Sequence, residues 1–253
     1  MPRNITMRHS LLLSLLLLPA TAGADVVVRS EHVTGGTLDL SWQPAFGGPS
    51  LVAELPAPAH PAWTNPSGDH TVGRLTTLPP DQGGIALSVT ETGGLADYRW
   101  EAWVFTGEGN SRRGLIVRAD STNAFQSHYQ FVLQQGMLQL SFRRLVNGAP
   151  TTLANWFTTA TPGGFPAQNS WHHMVVEARG NQFDCWWDGF KLTDTPIADA
   201  SLPYGHVGVY NFRFDIGGIP LLVDDLKLTR FEEPVAVAPT SWSAIKARAA
   251  SGR

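Results

Sequence analysis

Residues 171–195 read WHHMVVEARGNQFDCWWDGFKLTDT, and the period of their side chains decides the fold. In a strand, successive side chains point to opposite faces. His172, Met174, Val176 and Ala178 then share one side, and His173, Val175, Glu177 and Arg179 the other. Gly180-Asn181 supplies the positive-φ pair of a tight hairpin turn. QFDCWW returns with Phe183, Cys185 and Trp187 opposite Gln182, Asp184 and Trp186. Asp188-Gly189 makes the next turn. The adjacent histidines face opposite ways and cannot readily share one ion, because zinc needs three or four converging ligands. Cys185 reads as a small buried hydrophobe. The stretch is scaffold.

The same grammar runs through the chain. Twenty-five glycines and 18 prolines punctuate short alternating segments, among them DYRWEAWVFTG, GLIVRA, SHYQFVLQ, MLQLSFRRL and TTLANWF. Such spacing predicts an all-β, two-sheet antiparallel sandwich of the jelly-roll kind. PAPAHPAWTNPSGDH, residues 56–70, cannot be a central strand and reads as a loop over one mouth of the sandwich. There Trp63 either pins the loop down or offers a ring for a sugar to stack on.

Arg3 and Arg8, the apolar run Leu11–Leu18 and the small residues Ala22-Gly23-Ala24 read as a secretory signal peptide over 1–24. The expected location is secreted or periplasmic. The expected domain spans 25–231. Residues 232–253 read as linker and tail, with one short amphipathic helix from about Thr240. The formal charge is −3, and there is no basic run, so nucleic acid is not an expected partner. No apolar run is long enough to span a membrane. The lone cysteine excludes an intramolecular disulfide, so stability rests on the core.

The polar phases of three consecutive segments carry Arg118, His128, Gln130, Gln134, Gln139, Ser141 and Arg143. The upstream segment adds Arg99, Glu101 and Trp103. If these strands share a sheet, they form a face of guanidiniums and amides beside an aromatic ring. Such groups read hydroxyl-rich or carboxylate-bearing saccharides. The expected ligand residues are Arg118, Gln130, Arg143, Glu101, Trp103, His128 and Gln139, and the expected partner is a polysaccharide or glycan. An ordinary solvated outer face is the competing reading. Arg118→Ala is expected to weaken binding more than folding.

Trp171 and His172, the Gly-Asn turn, the strand ending in Asp188-Gly189 and the later YGHVGVYNF (204–212) resemble the concanavalin A-like lectin/glucanase superfamily, nearest its laminin-G-like branch. LLVDDLKL (221–228) resembles that branch's closing strand. The resemblance implies a jelly roll and leaves function open, since lectins, hydrolases, lyases and adhesion modules share the fold. Asp224 is expected to point inward, where a carboxylate must be paired, protonated or bound to a cation. The resemblance implies a structural calcium there, with Glu31 as co-ligand; a hydrogen bond to Asp224 is the other reading. No further cofactor is called for.

The glucanase pattern Glu-x-Asp-x-x-Glu is absent, and RSEHV (29–33) lacks the second arginine of the alginate lyase strand. No Ser-His-Asp arrangement is legible. The reading favoured by the sequence is an exported, non-catalytic carbohydrate-binding domain. The alternatives are a glycoside-cleaving enzyme, resembling the 3-keto-disaccharide hydrolase-like proteins and using Glu101, or an adhesion domain with no small ligand.

Overall fold

The computed structural model describes residues 25–31, 38, 42–46, 51–54, 71–75, 82–88, 94–107, 109–157, 161, 164, 169–214 and 220–232. The leader, the 56–70 loop with Trp63, the tail from residue 233 and the Glu31 side chain lie outside the described residues. Among the described residues no helix is long and apolar enough to cross a membrane.

The described strands form two antiparallel sheets. Strands belonging to the first sheet are β1 (Val26–Glu31), β3 (Val52–Glu54), β4 (Val72–Leu75), β6 (Tyr98–Phe105), β11 (Trp171–Arg179), β12 (Gln182–Trp187), β13 (Phe190–Lys191), β14 (Ile197–Ala198) and β16 (Leu221–Arg230). Its path is β13-β12-β11-β6-β16-β4-β3, with β1 added on β16 and β14 on β12. The second sheet holds β2 (Trp42–Phe46), β5 (Gln82–Ser88), β7 (Ser111–Ala119), β8 (His128–Gln134), β9 (Gln139–Val146), β10 (Ala149–Phe157) and β15 (His206–Arg213). Its order is β10-β9-β8-β7-β15-β5-β2. Asp25–Phe231 forms one compact unit.

The 171–195 stretch folds as its alternation dictates. Val176 pairs with Cys185 and Glu177 with Asp184. Gly180, Asp188 and Gly189 take left-handed φ values of 55°, 48° and 78° at the two turns. Met174, Val176, Ala178, Phe183, Cys185 and Trp187 face the other sheet. Beside Tyr98 and Trp100 of their own sheet, they meet Tyr129, Phe131, Leu140 and Phe142 of the other. Burying each such large side chain is worth about 1.5–3 kcal/mol, which lets the chain dispense with a disulfide. Cys185 is fully buried. Burial pushes its thiol well above the ordinary range, so it is packing rather than chemistry.

A bulge interrupts β7. Ile116 pairs with Gly208 and Ala119 with His206, so Val117 and Arg118 together face a single residue of β15. Arg118 adopts φ 51°. A left-handed residue inside a strand advances the side-chain phase by one. Val117 and Arg118 therefore both turn toward the core. β16 has a second bulge between Asp224 and Lys227, with Asp225 at φ 47°.

Candidate functional site

The outer face of the second sheet carries a cavity of about 400 Å³. Gln130 sits directly across from Arg143 on β9 and from Ile116 on β7. Its polar lining also includes His128, Arg112, Tyr210 and Gln126, and its apolar walls include Phe125, Phe212 and Ile85. One wall is built by the turn at 121–127. Asp120 Oδ1 accepts the Thr122 N–H at 2.8 Å and so caps that turn. Gly148 N donates to Gln126 O at 2.9 Å, and Asn123 Nδ2 to Asn147 Oδ1 at 3.1 Å. These bonds tie the turn to the β9–β10 hairpin. Phe125 is held at φ 60°, a conformation a bulky residue rarely keeps unless its surroundings enforce it.

The hydrogen bonds orient the polar groups. His128 Nδ1 lies 2.9 Å from the Phe125 carbonyl, so Nδ1 carries the proton. Nε2 is then an acceptor, and Gln130 Nε2 donates to it at 2.8 Å. Burial, reinforced by the Arg143 charge and opposed by the Phe125 carbonyl, lowers the His128 pKa to about 4. With its amide nitrogen so committed, Gln130 presents Oε1 with no hydrogen-bond partner, although the residue is fully buried. Arg112 donates to Gln134 Oε1 at 2.8 Å and lies over the Phe214 ring. Burial raises the Tyr210 pKa against the charges of Arg112 and Arg143 and hydrogen bonds from the Arg112 and Gln130 side chains. Burial and the neighbouring Arg112 charge lower that of Arg143. Among the described residues, the cavity lining contains no Asp or Glu.

Of the residues expected from sequence, His128, Gln130 and Arg143 come together here. Gln139 is on β9, paired with Gln134, and does not line the cavity. Arg118 does not join the set, because its bulge sends it inward. It is fully buried. It donates to the carbonyls of Leu202 (3.1 Å), Ala96 (2.7 Å) and Gly180 (2.5 Å). Glu101 and Trp103 lie on β6, in the other sheet, so the expected single face is split in two. The sequence reading missed Arg112 and Tyr210. Arg112 shares the phase of Ile116 in SRRGLIVRA, but GLIVRA alone does not show that the strand reaches back to Ser111. Tyr210 lies on β15, which pairs with β7 from a distant part of the chain.

Glu101 is the centre of a separate network on the outer face of the first sheet. Arg99 Nε lies 2.8 Å from its Oε2 and Lys227 Nζ 2.5 Å from its Oε1, while Arg99 also reaches Glu177 at 3.1 Å. Burial pushes the Glu101 pKa up, but hydrogen bonds from Lys227 and Arg99 outweigh it and leave it below the ordinary value. A carboxylate held ionised in this way is no general acid. Trp103 stacks on His173 with ring centroids 5.1 Å apart. Asp224 is fully buried, but the second bulge alters the expected phase. It pairs with Trp103 and shares that residue's outer face instead of pointing between the sheets. Its Oδ1 accepts the Asp225 N–H at 2.9 Å. Among the described residues no group of three His, Cys, Asp or Glu side chains gathers for a metal ion.

The fold also assembles a Ser-His-Asp chain that sequence reading did not find. Ser170 Oγ lies 2.8 Å from His172 Nε2, and His172 Nδ1 2.6 Å from Asp188 Oδ2. The spacing matches a nucleophile, base and orienting acid. The surroundings give it another use. Asp188 Oδ1 accepts the His173 N–H at 2.8 Å, and Asp188 N donates to His173 O at 2.9 Å. Ser170 Oγ also lies 3.3 Å from Thr106 Oγ1 at the end of β6. His172 stacks on Trp187 at 4.7 Å. The three residues fasten the β12–β13 turn and the start of β6's partner strand, and none of them lines the cavity.

The architecture is that of a galectin-like β-sandwich. A protein of unknown function with a galectin-like fold from Bacillus subtilis superposes with a TM-score of 0.56 at 11% identity, over 83% of this chain and 99% of that one. A carbohydrate esterase from the Shiga toxin-encoding bacteriophage phi24B gives 0.51 at 14% identity, over 83% and 100%. The carbohydrate binding module CBM66 from Bacillus subtilis gives 0.49 at 18% identity, over 78% and 94%. At these identities the likeness is one of fold. No family model matches the chain, and no curated protein matches it.

Proposed function

We propose that the chain is an exported, non-catalytic carbohydrate-binding domain whose ligand sits in the cavity on the outer face of the second sheet. The observation that carries this reading is Gln130: a fully buried amide whose Oε1 has no hydrogen-bond partner and which lines a cavity. A buried polar atom left unsatisfied costs about 1–3 kcal/mol, which a sugar hydroxyl donating to Oε1 offsets. Phe125 and Phe212 offer apolar walls suited to the C–H faces of a sugar ring. The galectin-like architecture and the carbohydrate named for the phage protein support the same class. The laminin-G-like look of the 171–191 hairpin fits it as well. Export rests on the leader-like sequence of residues 1–24.

The test is a glycan array with purified protein, followed by calorimetry on the best ligand. Gln130→Met keeps the volume and removes the acceptor, so affinity should fall about tenfold or more while the protein remains folded. Retention of no glycan at millimolar concentration would overturn the reading. Reducing-end release from the same polysaccharides is the control for the glycoside-cleaving alternative, for which the ion-paired Glu101 offers no acid.

A further inference from the structure

The cavity has a second property that a sugar hydroxyl does not answer. The Arg143 side chain lines it with no hydrogen bond or ion pair to another described side chain. The ion pairs of the described residues engage Arg99, Arg144, Lys191 and Lys227 and leave out both Arg112 and Arg143. Arg112 reaches only neutral partners, the Gln134 amide oxygen and the Phe214 ring among them. Two guanidiniums thus share one concavity whose lining, among the described residues, holds no carboxylate, in a chain whose net charge is −3. Arg112 and Arg143 are each half-buried, and two cations held close in a partly desolvated concavity without a counter-charge are unfavourable until an anion arrives. The lowered pKa of Arg143 reports the same frustration.

We propose that the cavity takes an acidic saccharide, its carboxylate or sulfate seated on Arg143 and Arg112 while a ring hydroxyl donates to Gln130 Oε1. This rests on the carbohydrate reading above and narrows it. Arginine suits the task because its planar fork meets two oxygens of one anionic group. Gln130 and Arg143 are directly opposite in register on adjacent strands, and both line the cavity. A sugar that carries both hydroxyl and anionic groups satisfies both at once.

The experiment compares binding of the full chain to three oligosaccharides of equal length: a uronate, a sulfated sugar and their neutral counterpart. Calorimetry is run at low and high salt. The acidic ligands should bind at least about tenfold more tightly than the neutral one, and the margin should shrink with salt. Arg143→Gln should abolish the margin between acidic and neutral ligands. Arg143→Lys, which keeps the charge and loses the fork, should restore part of it. Thermal melting confirms that each variant is folded. A preference for the uronate or for the sulfated sugar supports the proposal and names the group. Equal binding of all three, unchanged in Arg143→Gln, overturns the anion and leaves the carbohydrate reading standing. Binding of none overturns both.

Discussion

The guanidinium of Arg118 lies over the ring of Phe183, 4.7 Å from its centroid. A cation on a strand position whose sequence phase points outward has become part of the core. Its donors reach three backbone carbonyls from three separate segments, those of Ala96, Gly180 and Leu202. Its own N–H donates to the Tyr98 hydroxyl at 3.1 Å. The residue staples one end of the sandwich.

Arg118→Ala should therefore strike folding first. It leaves buried carbonyls unsatisfied, and a hydrogen bond to a charged group is worth about 1.5–3 kcal/mol. A total loss of roughly 3 kcal/mol or more lowers Tm by roughly 6–12 °C at this size. Differential scanning calorimetry checks it. A variant that melts like the parent but binds poorly would return Arg118 to the binding face.

The bulge has its own requirement. Gly205 sits at φ 154°, and a Cβ there would approach the Arg118 backbone carbon to 2.5 Å and the Ala119 carbonyl oxygen to 2.7 Å. Backbone cannot move aside as a side-chain tip can. Gly205→Ala should cost roughly 1–3 kcal/mol or more. Gly180→Ala faces open space and carries only the left-handed penalty of about 1–2 kcal/mol. Parallel chemical denaturation of the two variants tests the ranking. If Gly180→Ala proves the more damaging, the close approach at the bulge is not what constrains Gly205.

Much of the fold was legible because a strand writes its two faces in alternate letters. Phe183, Cys185 and Trp187 faced inward as their period required. The polar phase of β8 and β9 delivered Gln130 and Arg143 to one cavity. The failures share a cause. A bulge adds one residue and shifts the phase beyond it, and nothing in GLIVRA or LVDDLKL marks where that happens. Arg118 and Asp224 were misplaced for this reason. Glu101 and Trp103 were misassigned because alternation gives a face and not a sheet: β6 pairs with β11 and β16, both far away in sequence. Ser170, His172 and Asp188 meet only across a hairpin, so their spacing in sequence carried no signal.

The Ser170–His172–Asp188 chain should prove structural. A fluorophosphonate probe, which traps activated serines, should leave Ser170 unlabelled. Asp188→Ala removes the acceptor for both the His172 ring and the His173 amide and should cost about 1–3 kcal/mol. Ser170→Ala should alter stability by less than Asp188→Ala and leave carbohydrate binding intact. Covalent labelling at Ser170, abolished in His172→Ala, would instead make this an esterase-like centre.

The last prediction concerns acid. His128 is nearly fully buried and neutral, with its pKa lowered from 6.5 to about 4, first by burial and further by Arg143. Below pH 6.5 the unfolded chain binds a proton there and the folded one does not. Stability is thus complete above pH 6.5, declines as pH falls and stops declining on this account near pH 4. Each pH unit inside that window is worth up to about 1.4 kcal/mol, so moving from pH 7.5 to 5 should cost about 2 kcal/mol through this residue alone. Burial lowers the pKa of His173 and His206 too, which adds loss of the same sign. His128→Gln isolates the contribution: less stable than the parent at pH 7.5, it should lose about 2 kcal/mol less on acidification. The same proton breaks the cavity's geometry, because a protonated Nε2 can no longer accept from Gln130. Ligand affinity should consequently drop when His128 titrates, and by linkage bound ligand should lower the pH at which it does. NMR titration of the ring, free and with ligand, reads both. A parent and a variant with equal slopes between pH 7.5 and 5 would show that the ring is hydrated and that its contact with Gln130 does not organise the site.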